Sequence, residues 1–177
     1  MKDVFKEQLV KRRPDIKTAM AKAGLVSVAI FLMALVIFFE ALVVFAPILW
    51  AVTIFVTYYL MRRQNIEYEY VLTNHELDID IIYGKSKRKR LISTSARDFE
   101  AFRPAGSTEM EHGFTAAAAR LDYSGGPAID GINQYEFLIM HNGKKTRISF
   151  EPNADLLAAI IPHLKRGTYP ASLSQGK

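Results

Sequence analysis

The sequence predicts an α+β protein: a transmembrane α-hairpin, then an antiparallel β-barrel or sandwich of about seven strands capped by a C-terminal helix. Three observations predict it. Residues 23–61 contain one charge, Glu40. From Ile66 onward apolar and polar residues alternate with the two-residue period of half-buried strands. Near the end, "EPNADLLAAIIPHLKRG" carries apolar residues at helical spacing.

Charge is distributed unevenly. Residues 1–22 hold seven Lys/Arg against three acids, whereas residues 62–177 hold sixteen against fourteen. The formal excess of +5 is thus concentrated beside the apolar block. A nucleic-acid binder would carry its excess on the folded domain, so that class is disfavoured. The chain has no cysteine, which excludes disulfides, thiolate metal sites and cysteine nucleophiles.

Residues 1–19 read as a basic cytoplasmic leader. In "DVFKEQLVKRRP", Val4, Phe5, Leu9 and Val10 form a stripe at helical spacing that ends before Pro14. Two readings stand: a short helix lying on the inner membrane surface, and a frayed leader that only sets topology.

Residues 20–63 read as a two-helix transmembrane hairpin. Ala23–Phe39 and Ala41–Met61 are uncharged runs that reach roughly 26 and 31 Å as helices, against about 30 Å of hydrocarbon. The turn falls between Glu40 and Pro47, with Glu40 as an interfacial residue. Trp50, Tyr58 and Tyr59 suit the membrane interfaces. Lys11, Arg12, Arg13, Lys17 and Lys22 precede the first span, Arg62 and Arg63 follow the second, and the turn has no Lys or Arg. By the positive-inside rule both termini are cytoplasmic, in a multi-pass protein of the cell membrane. A cleaved signal peptide fits poorly, because the basic region is long and a second apolar run follows.

Residues 64–167 read as a cytoplasmic domain, with 168–177 a flexible tail. Ile66, Tyr68, Tyr70 and Leu72 alternate along a first strand, and Leu77, Ile79, Ile81 and Tyr83 along a second that ends at Gly84. "RKRLIS", "RDFEAF", "AAARLDY", "QYEFLIM" and "KTRISF" supply the others. Asn142-Gly143 is the favoured two-residue hairpin turn, since both positions accept positive φ. In the terminal helix Leu156, Leu157, Ile160, Ile161 and Leu164 share a face, and Pro162 should kink or shorten it. An apolar face of that kind must cover something, and the open end of a curled sheet is available.

"YEYVLTNHELDIDIIYG" and "RISFEPNADLLAAI" resemble the bacterial pleckstrin-homology-like (PH-like) domains attached to a pair of membrane helices, over residues 45–166. The resemblance implies a cytoplasmic binding or scaffolding module and names no ligand.

Catalytic signals are lacking. His75, His112, His141 and His163 are far apart, and "HEL" has no second histidine for a zinc helix. Ser124–Pro127, "SGGP", lacks the lysine and following helix of a phosphate loop. Asp78 and Asp80 share a strand face that reads as solvated. No catalytic residue, cofactor or metal is expected. The expected function is a non-enzymatic, membrane-anchored module that binds a protein partner or anionic lipid headgroups at the cytoplasmic surface. The alternative is an accessory subunit of a transport or secretion complex, in which Glu40 and the spans carry the role.

The expected contact with the bilayer and its anionic headgroups is made by Arg62, Arg63, Lys85, Lys87, Arg88, Lys89 and Arg90. The second strand returns the chain to the level of Arg63, so the five charges of Lys85–Arg90 come back to the lipid surface. The competing reading is a solvated hairpin whose charges deter edge-to-edge pairing.

Overall fold

The computed structural model describes residues 4–127 and 133–170. Along the chain lie β1 (Phe5–Lys11), α1 (Ile16–Phe38), α2 (Glu40–Val43) and α3 (Ala46–Arg63). Strands β2 (Ile66–Thr73), β3 (Glu76–Tyr83), β4 (Lys87–Ser95) and β5 (Ala101–Pro104) follow. After these come α4 (Glu111–Thr115), β6 (Ala119–Asp122), β7 (Tyr135–His141), β8 (Lys144–Phe150) and α5 (Ala154–Ile160). Two four-stranded sheets form, in the orders β1-β2-β3-β4 and β5-β7-β8-β6. Every pairing is antiparallel except β6 with β8.

The first correction concerns the leader. Phe5–Lys11 is neither an interfacial helix nor frayed; it is an edge strand, paired with β2 from Phe5↔Thr73 to Lys11↔Glu67. Its partner lies beyond the helical hairpin, where local periodicity cannot reveal it. Val10 is buried beside Tyr68, and the Gln8 carboxamide bonds the Glu151 carbonyl and the Asn153 N–H on the other side. The helices are therefore inserted between two neighbouring strands of one sheet.

Asp15 caps α1, its side chain accepting from Ile16 N–H. The helix starts before the apolar run, so Lys17 and Lys22 lie within it. Glu40 opens α2 in the turn, and Pro47 sits in the first turn of α3, where its missing N–H costs nothing. The helices run antiparallel: Trp50 Nε1 donates to the Met33 carbonyl (3.3 Å) near one end, and Lys22 Nζ to Asn65 Oδ1 (3.0 Å) at the other. Among the described residues, α1 alone is long and apolar enough to cross a membrane, with mean hydropathy 2.4. The α3 helix ends on Arg62 and Arg63.

Between the sheets lies an aromatic core. Phe99 stacks on Phe137 at 4.2 Å, and Phe150 meets Phe137 and Tyr70 edge-on at 5.3 and 5.7 Å. The apolar face of α5 closes it, with Leu156, Ile160 and Leu164 buried. Asn153 caps this helix through Leu156 N–H. It stops at Ile160, and a 3-10 turn, Ile161–His163, accommodates Pro162. Asn142 and Gly143 take φ of 50° and 72°, as a tight hairpin turn requires.

Three smaller corrections apply. The strand expected over "RDFEAF" begins only at Ala101, because Ala96–Asp98 winds into a 3-10 turn. The segment after it contains α4, held down by Arg103. That guanidinium is 2% exposed, bonds Glu136 (3.2 Å) and Glu111 (2.9 Å), and lies 4.0 Å over the Phe114 ring. The tail expected from 168 does not begin there, since Thr168 accepts from Phe102 N–H and Tyr169 packs on the core. Its remainder, 171–177, lies outside the described residues.

Candidate functional site: the cationic root of the helical hairpin

Three connections meet where the helices join the sheet. Arg12 N–H donates to the Ile66 carbonyl (2.9 Å), bringing the β1–α1 and α3–β2 crossings together. Gly84 N–H donates to the Asn65 carbonyl (2.9 Å), and Arg62 Nε to the Gly84 carbonyl (3.3 Å). The β3–β4 turn is thereby fastened to the end of α3. Glycine is required there: φ is +56°, and a Cβ would stand 3.1 Å from the Arg62 carbonyl oxygen.

That fastening brings five of the seven expected cations together. Arg62, Arg63, Lys87 and Lys89 line one cleft of about 580 Å³ with Tyr59 and Tyr83. The Arg63 guanidinium lies 5.5 Å from the Tyr59 ring centre. Lys85 borders the neighbouring cleft with Arg62 and Lys22. Among the described residues none of these five takes part in an ion pair.

Arg88 and Arg90 are not part of the group. Strand alternation turns them to the opposite face of β4, toward Asp80. Arg88 pairs with Glu69 and with Asp80 (2.6 Å), and Arg90 with Asp80 (3.1 Å) and Asp78 (3.0 Å). The hydrogen bond from Asp80, then the charge of Asp78, raises the Arg90 pKa above its ordinary value. These acids, read from sequence as a solvated pair, neutralise the two arginines. Five like charges in six residues therefore split three to two.

Three cations at the root were not expected in this role. Lys11, Arg12 and Lys22 surround a cleft of about 490 Å³ with Lys85 and the polar side chains of Gln64 and Asn65. Recognising β1 as the neighbour of β2 would have placed Lys11 and Arg12 there. Arg13, on the same connection, is already occupied. It bonds Glu151 through both terminal nitrogens and the Gly126 carbonyl (3.0 Å). The Glu151 bond raises its pKa against the opposing effect of burial. Glu151, 5% exposed, also accepts from Gln134 (2.8 Å), so this pair ties the root to the start of α5.

Among the described residues no group of His, Asp and Glu could hold a metal ion. The arrangement suits binding of anions at a surface: unpaired cations ring the base of an apolar helix pair, and neighbouring tyrosines offer rings and hydroxyls.

A family model described as Bacterial PH-like domain (DUF6106) matches residues 2–169. The match takes in β1 and all three hairpin helices as well as the two sheets, so it extends beyond the span expected from sequence. No curated protein and no solved structure matches the chain.

Proposed function

Because the chain belongs to the bacterial PH-like domain family, we propose that it is a membrane-anchored binding module without catalytic activity. The helical hairpin crosses the bilayer, both ends of it return to the cytoplasmic side, and the cationic root lies among the headgroups. One observation carries this reading: the apolar helices end, on the domain side, in a ring of cations that no acid in the described residues neutralises.

The exposed surface of the helices supports insertion. None of the apolar window of α1 is buried, and Phe31, Phe38, Ile54 and Phe55 stand more than half exposed. Such a surface is unfavourable in water and ordinary in lipid. A cleaved signal peptide is a poor alternative here, because cleavage after α1 would remove β1 from its sheet. Each Lys or Arg of the root would gain about 1 kcal/mol from an anionic leaflet, fading beyond a Debye length. Five charges then hold the domain firmly while leaving its far end free for a protein partner.

The test uses the full, Cys-free chain with single cysteines introduced at Val44, in the turn, or at Ser86, at the root. In intact cells an impermeant thiol reagent should label Val44→Cys alone. Labelling of Ser86→Cys before lysis refutes the orientation. Release of the protein from membranes by alkaline carbonate refutes insertion.

A further inference from the structure

We infer that the cleft bounded by Lys11, Arg12, Lys22 and Lys85 is a specific site for the phosphate-bearing headgroup of a single lipid with hydroxyls to donate. The inference rests on the membrane reading above, which needs only diffuse attraction, and adds a defined pocket to it.

The pocket differs from the rest of the cationic surface in three ways. First, it is enclosed by three separate pieces of chain, each fixed by a bond already described: Arg12 to Ile66, Lys22 to Asn65, and the Gly84 turn to Asn65. The cations are therefore held around one volume rather than spread along a strand. Second, its charge is unbalanced. Glu67 is the one acid in the wall, and Arg13, the fifth cation there, is satisfied by Glu151. Four basic groups against one carboxylate call for a ligand of more than one negative charge, or for a phosphate with further acceptors. Third, the Gln64 carboxamide oxygen is buried at this wall without a donor in the protein. A buried acceptor left bare is costly, so the occupant should supply a hydroxyl. Phosphate with a neighbouring hydroxyl is the chemistry of a polyol headgroup, of the glycerol or inositol type.

The volume of about 490 Å³ accommodates such a group and leaves no room for a folded partner. A basic pocket against membrane helices on the cytoplasmic side is a general form of headgroup site. The lipid tail would lie along α1 beside Lys22, whose Nζ is fixed by Asn65.

The experiment takes the full chain, purified in a neutral detergent, and measures retained phospholipid by native mass spectrometry. Short-chain phosphatidylglycerol is compared with phosphatidylserine, which matches its charge but presents an amine and a carboxylate instead of the diol. One phosphatidylglycerol per chain is expected, with weaker retention of phosphatidylserine. Lys11→Gln with Arg12→Gln should weaken retention about tenfold or more, from the loss of two direct charges. Lys87→Gln with Lys89→Gln removes the same charge from outside the pocket and should change it less than about twofold. Thermal midpoints are recorded for both double variants, and Gln64→Leu provides an uncharged probe of the same wall. Equal weakening by the two pairs overturns the pocket and leaves the diffuse surface standing. Displacement of the lipid by glycerol phosphate at comparable concentration overturns the lipid as its source. Release of every variant and the parent from native membranes by carbonate is the separate failure of the membrane reading.

Discussion

Severing β1 from the domain should unfold it, although β1 lies on the far side of the helical hairpin. The perturbation is a fragment of residues 64–177, which begins just after α3. Three losses follow from the structure. The β1–β2 ladder, seven residues long, disappears, and each of its bonds is worth about 0.5–1.5 kcal/mol net. Val10, 8% exposed, leaves the core, at about 1.5–3 kcal/mol for a side chain of its size. Glu151 loses both bonds from Arg13 while remaining buried, and breaking a buried pair costs about 3–5 kcal/mol. Even the lower ends reach roughly 5 kcal/mol, comparable with the whole stability of a small domain, about 5–15 kcal/mol. A control keeps β1 and removes only the hairpin, by joining Asp15 to Gln64 through a short Gly/Ser linker. The 2.9 Å bond from Arg12 to Ile66 shows that the two ends already touch. Urea unfolding followed by far-UV circular dichroism compares the two. The linked form should give a cooperative transition, and the fragment should be unfolded or nearly so without urea. The same midpoint for both would refute the reasoning and return residues 1–15 to the status of a leader.

Two further outcomes follow from the core. Ile160 is fully buried under α5, so Ile160→Asp places an unpaired carboxylate there and should cost several kcal/mol; an unchanged thermal midpoint would mean that α5 does not close the sheets. Burial, first of all, holds the Tyr70 hydroxyl well above its ordinary pKa. The unfolded chain, whose tyrosine ionises at about 10, therefore loses that proton first. Stability from Tyr70 is complete below that pH and falls above it, by up to about 1.4 kcal/mol per pH unit. Tyr68, Tyr123 and Tyr135 shift in the same direction, so Tyr70→Phe should shallow the alkaline decline rather than abolish it, as read by urea midpoints across that range.

The domain was legible from sequence wherever an element is decided by its own residues. Alternation along Ile66–Thr73 and Glu76–Tyr83, the Asn142-Gly143 turn and the apolar face of Ala154–Ile160 are local signals, and each element lies where its pattern put it. Phe5–Lys11 failed because its apolar residues fit helical spacing as well as strand spacing, and its partner is more than fifty residues away. The short excursion through α4 failed for a related reason. It is held by Arg103, a charge whose burial only tertiary carboxylates make tolerable. In the candidate site, adjacency of the β3–β4 turn to Arg62 could be argued from strand length. The side of the strand on which each charge falls could not be read from a run of like residues. Period-two alternation gives the rule, but the bulge between Ile79 and Asp80 resets the register before Arg90.

Insertion of the hairpin between β1 and β2 also bears on how the domain would meet a membrane. A domain hung from a single linker can swivel, and its charges then touch lipid in many orientations, each paying the entropy of being held. Here two chain crossings, one at Arg12–Asp15 and the other at Gln64–Asn65, enter adjacent strands, and the Gly84 turn makes a third contact with α3. Rotation about any one of them would break the others. The root cations are consequently placed before lipid is met, so little of their attraction is spent on ordering. The same rigidity gives the opposite end of the sheets, at the β2–β3 turn of Asn74 and His75, a fixed height above the surface. β2 spans roughly 27 Å at 3.4 Å per residue, so in the proposed orientation a partner bound at that end would sit beyond the reach of the root's charges, about 8 Å at physiological ionic strength. Mutations in the root should therefore alter lipid contact without altering the affinity of a partner held at the far end.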